Sequence, residues 1–343
     1  MDAISNPPAI LEDAGAQTIN LTGIGDGDSG TQTITITATS NNTSLIPNPT
    51  VTYTSNNATG SLAYTPVSNA NGSAVITVTV QDDGGTSGSG DDTITKTFTI
   101  TVTAVNDEPS FTKGSNITVL EDSGSSSTSN WATSLSTGPS DESGQTLTFS
   151  VSNNNNALFS SQPAINSSGV LTFTPASNAN GSATVTVSVS DDGGTAVSGD
   201  DDTSPNQTFT ITVTAVNDEP SFTTNNITYL EDSGSNSTSS WASNLSKGAS
   251  NESSQTLTFT VSNNNNALFS SQPAINSSGT LTFTTASNKN GSATVTVGLS
   301  DDGGTAVSGD DDTFADQTFT ITLTAVNDEP SFTKGSNITV LED

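Results

Sequence analysis

Acidic side chains and carboxamides recur at fixed places in this chain, and their types suit one chemistry: the binding of hard cations. Leu-Glu-Asp stands at 11–13, 120–122, 230–232 and 341–343. Asn-Asp-Glu-Pro stands at 106–109, 217–220 and 327–330. Between these motifs lie Asp141-Glu142, Asn251-Glu252 and the pairs Asp191-Asp192 and Asp301-Asp302. The candidate ligands are Glu12, Asp13, Asn106, Asp107, Glu108, Glu121, Asp122, Asp141, Glu142, Asp191, Asp192, Asn217, Asp218, Glu219, Glu231, Asp232, Glu252, Asp301, Asp302, Asn327 and Asp328. All of them offer oxygen. With no Cys and no His in the chain, thiolate sites, histidine-ligated zinc or copper and histidine acid–base catalysis are excluded. An all-oxygen set of this size describes Ca²⁺, which takes about six to eight oxygens.

The elements that must position these residues show in the repetition. The run Ala-Val-Asn-Asp-Glu-Pro-Ser-Phe-Thr begins at 104, 215 and 325, so the chain repeats at 111 and then 110 residues. A period of that length marks an array of small domains with the acidic run as the joint. The expected units are 1–106, a divergent first repeat, then 107–217 and 218–327, and a remnant, 328–343, that supplies the first strand of a further repeat. Repeat three copies repeat two almost residue for residue. Repeat one lacks Trp, has a shorter first loop, and carries Gly25-Asp26-Gly27-Asp28 where the others have Ser-Asp-Glu or Ser-Asn-Glu.

Apolar residues make up 30% of the chain, few enough that composition alone leaves disorder open. Periodicity decides for a fold, because Val, Ile, Leu and Phe alternate with Thr and Ser as half-buried strands require. In repeat two the first strand holds Ile117 and Val119, the second Trp131 and Leu135, and the third spans 145–152. A short strand starts at Leu158-Phe159, followed by 170–175, 183–190 and 207–215. Seven strands without a helical period predict an all-β fold, a tandem array of seven-stranded immunoglobulin/cadherin-like β-sandwiches. Trp131 and Trp241 read as core residues.

Threading such a sandwich sends alternate loops to opposite ends. The exit end of repeat two then gathers Glu121, Asp122, Asn178, Asn180 and the linker Asn217-Asp218-Glu219. The entry end of repeat three brings Asn251, Glu252, Asp301, Asp302 and Asp310–Asp312. Left without a cation, carboxylates on both sides of a joint repel one another. Asp-Asp-Gly-Gly is also a good hairpin turn, and surface Asp discourages edge-to-edge pairing, so the hairpin residues carry a second reading.

Leu-Glu-Asp, the acidic loop and Asn-Asp-Glu-Pro, in that order, resemble the cadherin arrangement. More closely, the repeats resemble the cadherin-like and immunoglobulin-like tandem repeats of large bacterial cell-surface adhesins, and the likeness covers essentially the whole chain. The resemblance implies Ca²⁺ between modules, with Glu121 and Glu231 as first-strand ligands. Asn106-Asp107, Asn217-Asp218 and Asn327-Asp328 match the linker pair. Asp141-Glu142, Asn251-Glu252, Asp191-Asp192 and Asp301-Asp302 match the incoming ligands only approximately. Where cadherins open the linker with Asp, this chain has Ala104, Ala215 and Ala325, which implies one or two ions per joint.

Charge narrows the partners. With 35 acidic against 5 basic residues and a net charge of −30, nucleic acid and anionic membrane surfaces are poor partners. No apolar run is long enough to span a membrane. The absence of Cys suggests a bacterial surface protein more than an animal extracellular module. No base stands ready to activate a Ser or Thr, so no enzyme is expected. Sequons at Asn116, Asn166, Asn180, Asn226 and Asn290 arise by chance in so Asn- and Thr-rich a chain.

The leading reading is a non-enzymatic, extracellular, calcium-stiffened stalk whose partners are the neighbouring repeats of the same chain. A self-assembling filament of these repeats is the alternative, with other copies or a cell surface as partner. A carbohydrate- or ice-binding module on rows such as Thr208, Thr210, Thr212 and Thr214 is the lesser one. The near-identity of repeats two and three predicts matching joints, with the joint after repeat one as the exception.

Overall fold

Alternation of Thr and Ser with β-branched or aromatic residues produces strands with one dry face, and they assemble three times over. The computed structural model describes residues 1–27, 32–85, 91–195, 201–305, 307, 310–340 and 342. Asp28, residues 196–200 of the acidic hairpin, Leu341 and Asp343 lie outside the described residues.

In repeat two, one sheet has the order Thr148–Asn153, Gly181–Ser190, Gln207–Thr214 and Ile117–Leu120. The opposing layer pairs Ser126–Thr128, Leu171–Pro175 and Phe159–Ile165 in that order, with Ser110–Thr112 beside Thr133–Ser136. Val185, Val187 and Val189 are buried on the central strand and Phe209, Ile211 and Val213 on its neighbour, as the two-residue alternation predicts. Repeat three has the same pairings in nearly the same registers. Repeat one has a four-stranded sheet against a three-stranded one. All three are two-layered all-β sandwiches.

The strand sequence differs from expectation in four places. Ser110–Thr112 and Ser126–Thr128 are strands that periodicity missed, since three residues are too few to show an alternation. Trp131 sits in a turn ahead of Thr133–Ser136 rather than in the strand itself. The third strand starts at Thr148, not at Gln145, because Ser140–Glu142 winds into a short 3-10 turn and Gln145 is drawn toward the linker.

Each apolar core draws on the residues of one repeat alone. Trp131 is 3% exposed, its ring centre 4.3 Å from that of Phe209, and its indole N–H donates to the Ser115 carbonyl at 3.0 Å. Trp241 repeats the arrangement over Phe319 at 4.2 Å. Both are core residues. Repeat one, which has no Trp, includes Leu45, Ile46, Tyr64 and Phe98 in its core.

The first long strand of each repeat runs parallel to the last. Ile117 pairs with Ile211 and Leu120 with Thr214, and the bonding continues from the Glu121 N–H to the Thr214 carbonyl at 2.9 Å. Parallel pairing sends both strands out of the same end, which places Leu-Glu-Asp beside the departing linker. Residues 328–340, which repeat the sequence of this region, form no strand, and Phe332, Ile338 and Val340 are exposed.

Candidate cation sites between repeats

The Leu-Glu-Asp motif divides its work between its two acids. The Glu is buried in every repeat, with Glu12, Glu121 and Glu231 at 4%, 2% and 5% exposure. One carboxylate oxygen of each accepts the N–H of the linker valine, Val105, Val216 or Val326, at 2.8 Å. The Asp that follows is exposed, and at Asp13, Asp122 and Asp232 the backbone takes a positive φ of 57–61°. Asp tolerates that region better than most residues. Its side chain accepts the N–H of Asn69, Asn178 or Asn288, tying in the neighbouring Asn-x-Asn-Gly turn.

One residue further along the linker, the partners belong to the next repeat. The Asn106 side-chain amide donates to Asp191 Oδ1 at 3.0 Å and to the Asp201 carbonyl at 2.9 Å, and its Oδ1 accepts from Gln145 at 2.7 Å. The Asp107 N–H donates to Glu142 Oε1 at 2.7 Å. At the second joint Asn217 holds Asp301 and the Asp311 carbonyl, Gln255 donates to Asn217, and the Asp218 N–H donates to Glu252 Oε1 at 2.7 Å. The linker therefore changes hands between Val and Asn. A single peptide joins a residue held by one sandwich to a residue held by the next, which leaves little slack.

Close approach at the joint requires glycine. Gly138 and Gly248 have φ of 134° and 109°, and a Cβ at either would run into the carboxylate of Glu142 or Glu252. Alanine there is strained by backbone and neighbour alike.

Charge balance is incomplete at the first joint. Among the described residues, the buried carboxylate oxygens without a hydrogen-bond donor here are Glu12 Oε2, Asp107 Oδ2, Glu142 Oε2 and Asp191 Oδ2, drawn from both repeats and the linker. At the second joint Asp301 Oδ2 is in that state. Burial, with Asp13 and Asp141 nearby, raises the Asp107 carboxyl above the usual range. Burial raises Glu142 too, with repulsion from Asp107, Asp141 and Asp191 working against the stabilising Asp107 N–H. Asp218 is raised by burial, then by Glu252, Asp122 and Glu121. Removing carboxylates from water without a counter-charge is costly.

The donor set fits a hard divalent ion, being oxygen throughout. Among the described residues no three acidic, His or Cys side chains already form a cluster that could hold a metal. An ion at a joint would draw further oxygens from carboxamides and main-chain carbonyls, which hard cations accept readily. Beside the second linker lies a cleft of about 270 Å³ lined by Val216, Asn217, Asn251, Glu252, Gln255 and Asp310.

Not every expected residue reaches a joint. Asp192 and Asp302 are exposed and accept the N–H of Thr146 and Thr256 at 2.7 and 2.6 Å, a strand-starting role. That bond lowers the Asp302 carboxyl below its ordinary value. Glu108 and Glu219 are exposed. Asn327 and Asp328 are exposed as well, and Asn327 donates to the Asp328 carbonyl at 3.3 Å. Sequence reasoning missed Asn71, whose amide crosses the first joint to Asp141 Oδ2 at 2.5 Å. Its signal was available, since Asn71 holds the same place in its Asn-x-Asn-Gly turn as Asn180. Gln145 and Gln255 had no comparable signal.

Residues 106–202 match the family model of the bacterial Ig domain. That span runs from the linker Asn of the first joint into the acidic hairpin of repeat two. Repeat three is nearly a copy of that span in sequence. Solved structures similar to the chain include the human desmocollin-1 ectodomain, with 15% identity and a TM-score of 0.41 over 96% of this chain and 61% of that one. Mouse protocadherin-24 EC1-3 has 16% identity and a TM-score of 0.40 over 86% of this chain and 91% of that one. Domains 4 and 5 of the S-layer protein SbsC have 19% identity and a TM-score of 0.24 over 57% and 75%. The chain spans less than two thirds of the desmocollin-1 ectodomain. No curated protein matches it.

Proposed function

We propose that this chain is a non-enzymatic, extracellular stalk segment of a bacterial surface adhesin, stiffened by Ca²⁺ at its joints. The observation that supports this most is the set of buried, donor-less carboxylate oxygens contributed to one joint by two repeats and their linker. Ca²⁺ supplies positive charge that several oxygens can share. The chain's own residues do the rest. Val105 and Val216 are tethered to the preceding repeat, Asn106 and Asn217 to the following one, and Glu142 and Glu252 accept the N–H of the next residue, Asp107 or Asp218.

Without the ion, like charges facing across a one-peptide linker favour splaying, although each sandwich keeps its own core. With it, binding free energy goes into the ordered joint, because the ion binds that state and not the loose one. Extracellular modules of this type bind at roughly 10⁻⁴–10⁻³ M, so ambient calcium acts as the switch.

Small-angle scattering of the chain in calcium and in chelator tests the reading. Calcium should lengthen the particle and narrow its distribution of shapes, and Asp218→Ala should blunt the response at the second joint. Shape and melting temperature that ignore chelation would reduce the acidic joints to solvated loops. Light scattering at high calcium separates a stalk, which stays monomeric, from a self-assembling filament.

A further inference from the structure

We infer that the two joints are graded in their demand for a divalent cation, the first strong and the second weak, and that residues 139 and 141 against 249 and 251 set the difference. The inference rests on the reading that the joints bind such an ion.

Glu142 and Glu252 occupy equivalent places and each accepts one linker N–H at 2.7 Å through Oε1. Their second oxygens differ. Glu252 Oε2 accepts the Ala249 N–H at 2.7 Å. The residue at that place in repeat two is Pro139, which has no N–H to give, and Glu142 Oε2 is buried with no donor. The backbones are otherwise alike, with φ of −62° at Pro139 and −70° at Ala249. The sequence difference therefore removes a hydrogen bond without reshaping the turn.

The same contrast appears at the preceding repeat. Asn180 donates to Glu121 Oε2 at 3.1 Å, and Asn178 to Asp218 Oδ2 at 2.7 Å. Asn71, the counterpart of Asn180, donates across the joint to Asp141, and Glu12 Oε2 is buried without a donor. At the place of Asp141 repeat three has Asn251, which carries no charge to draw an amide over. The second joint thus answers its carboxylates with its own amides and an N–H, with Asp301 Oδ2 the exception among the described residues. Among the described residues the first leaves Glu12, Asp107 and Glu142 each with a donor-less buried oxygen, in addition to Asp191, the counterpart of Asp301, and a divalent cation there would neutralise them.

Isothermal titration of calcium into the full chain tests this. Wild type should show two classes of site, tighter at the first joint by about tenfold, as ligand charge tunes calcium affinity over such ranges. Exchanging both residues at the first joint, Pro139→Ala with Asp141→Asn, should remove the tight class. The reciprocal pair Ala249→Pro with Asn251→Asp should create a second one. Pro139→Ala alone, which keeps the backbone angles, should give a partial loss even if a double variant folds poorly. Two equal sites unmoved by any of these exchanges would overturn the grading and leave calcium binding at the joints intact. An absence of binding heat in every form would overturn both.

Discussion

At the first joint Asn71 reaches forward to Asp141, whereas at the second Asn180 turns back to Glu121. The two amides hold the same place in nearly the same turn, and both joints use the same scaffold of buried Glu, linker Val and linker Asn. What separates them is the residue on the far side, a carboxylate in one case and a carboxamide in the other, together with one Pro that cannot donate. Near-identical sandwiches can therefore present unlike joints, because a joint is made by two repeats and a change in either alters it. Sequence marks the first joint as the exception on account of a shorter loop in repeat one. In the structure the first joint differs through Pro139 and Asp141 of repeat two.

The comparison assumes that the difference lies in the joints and not in the cores. Trp131→Ala and Trp241→Ala should each cost about 3–5 kcal/mol, the usual loss for a buried Trp, read as separate transitions in denaturant unfolding. Unequal losses would place a difference in the cores as well. Gly138→Ala and Gly248→Ala come next, at about 1–3 kcal/mol for a strained backbone. Each should also free the linker from Glu142 or Glu252, so amide exchange at Asp107 or Asp218 should quicken.

The sharpest contrast is in sign. In chelator, Glu12→Gln should raise the melting temperature, since it neutralises a carboxylate with a donor-less buried oxygen. Glu121→Gln should lower stability by about 1 kcal/mol, because both oxygens of Glu121 already accept hydrogen bonds and an amide can serve only one. Shifts of the same sign would end the distinction between the joints. The smallest effect is expected from Asn178→Asp, which keeps a residue suited to a positive φ and removes the donor to Asp218. At this exposed position the loss in chelator should be about 0.5–1 kcal/mol, and calcium should recover it.

By itself the sequence established the period, the sandwiches, the inward face of each long strand and the fact that acidic residues gather at the joints. Those features are written in spacing and alternation, which local sterics and burial read directly. The burial of Trp131 and Trp241 followed from the sandwich itself, which commonly buries a Trp. Strands of three residues stayed hidden because so short a segment shows no alternation, and Ser110–Thr112 is held by its partner rather than by its own pattern. The tertiary structure alone decided which carboxylates are buried and which only cap a turn. Asp191 and Asp192 are neighbours in sequence, yet one anchors the linker Asn and the other starts a strand, because successive residues point to opposite sides. It also decided that Asn71 crosses the joint while Asn180 does not. That choice depends on what the following repeat offers about seventy residues later, and no local pattern carries such information.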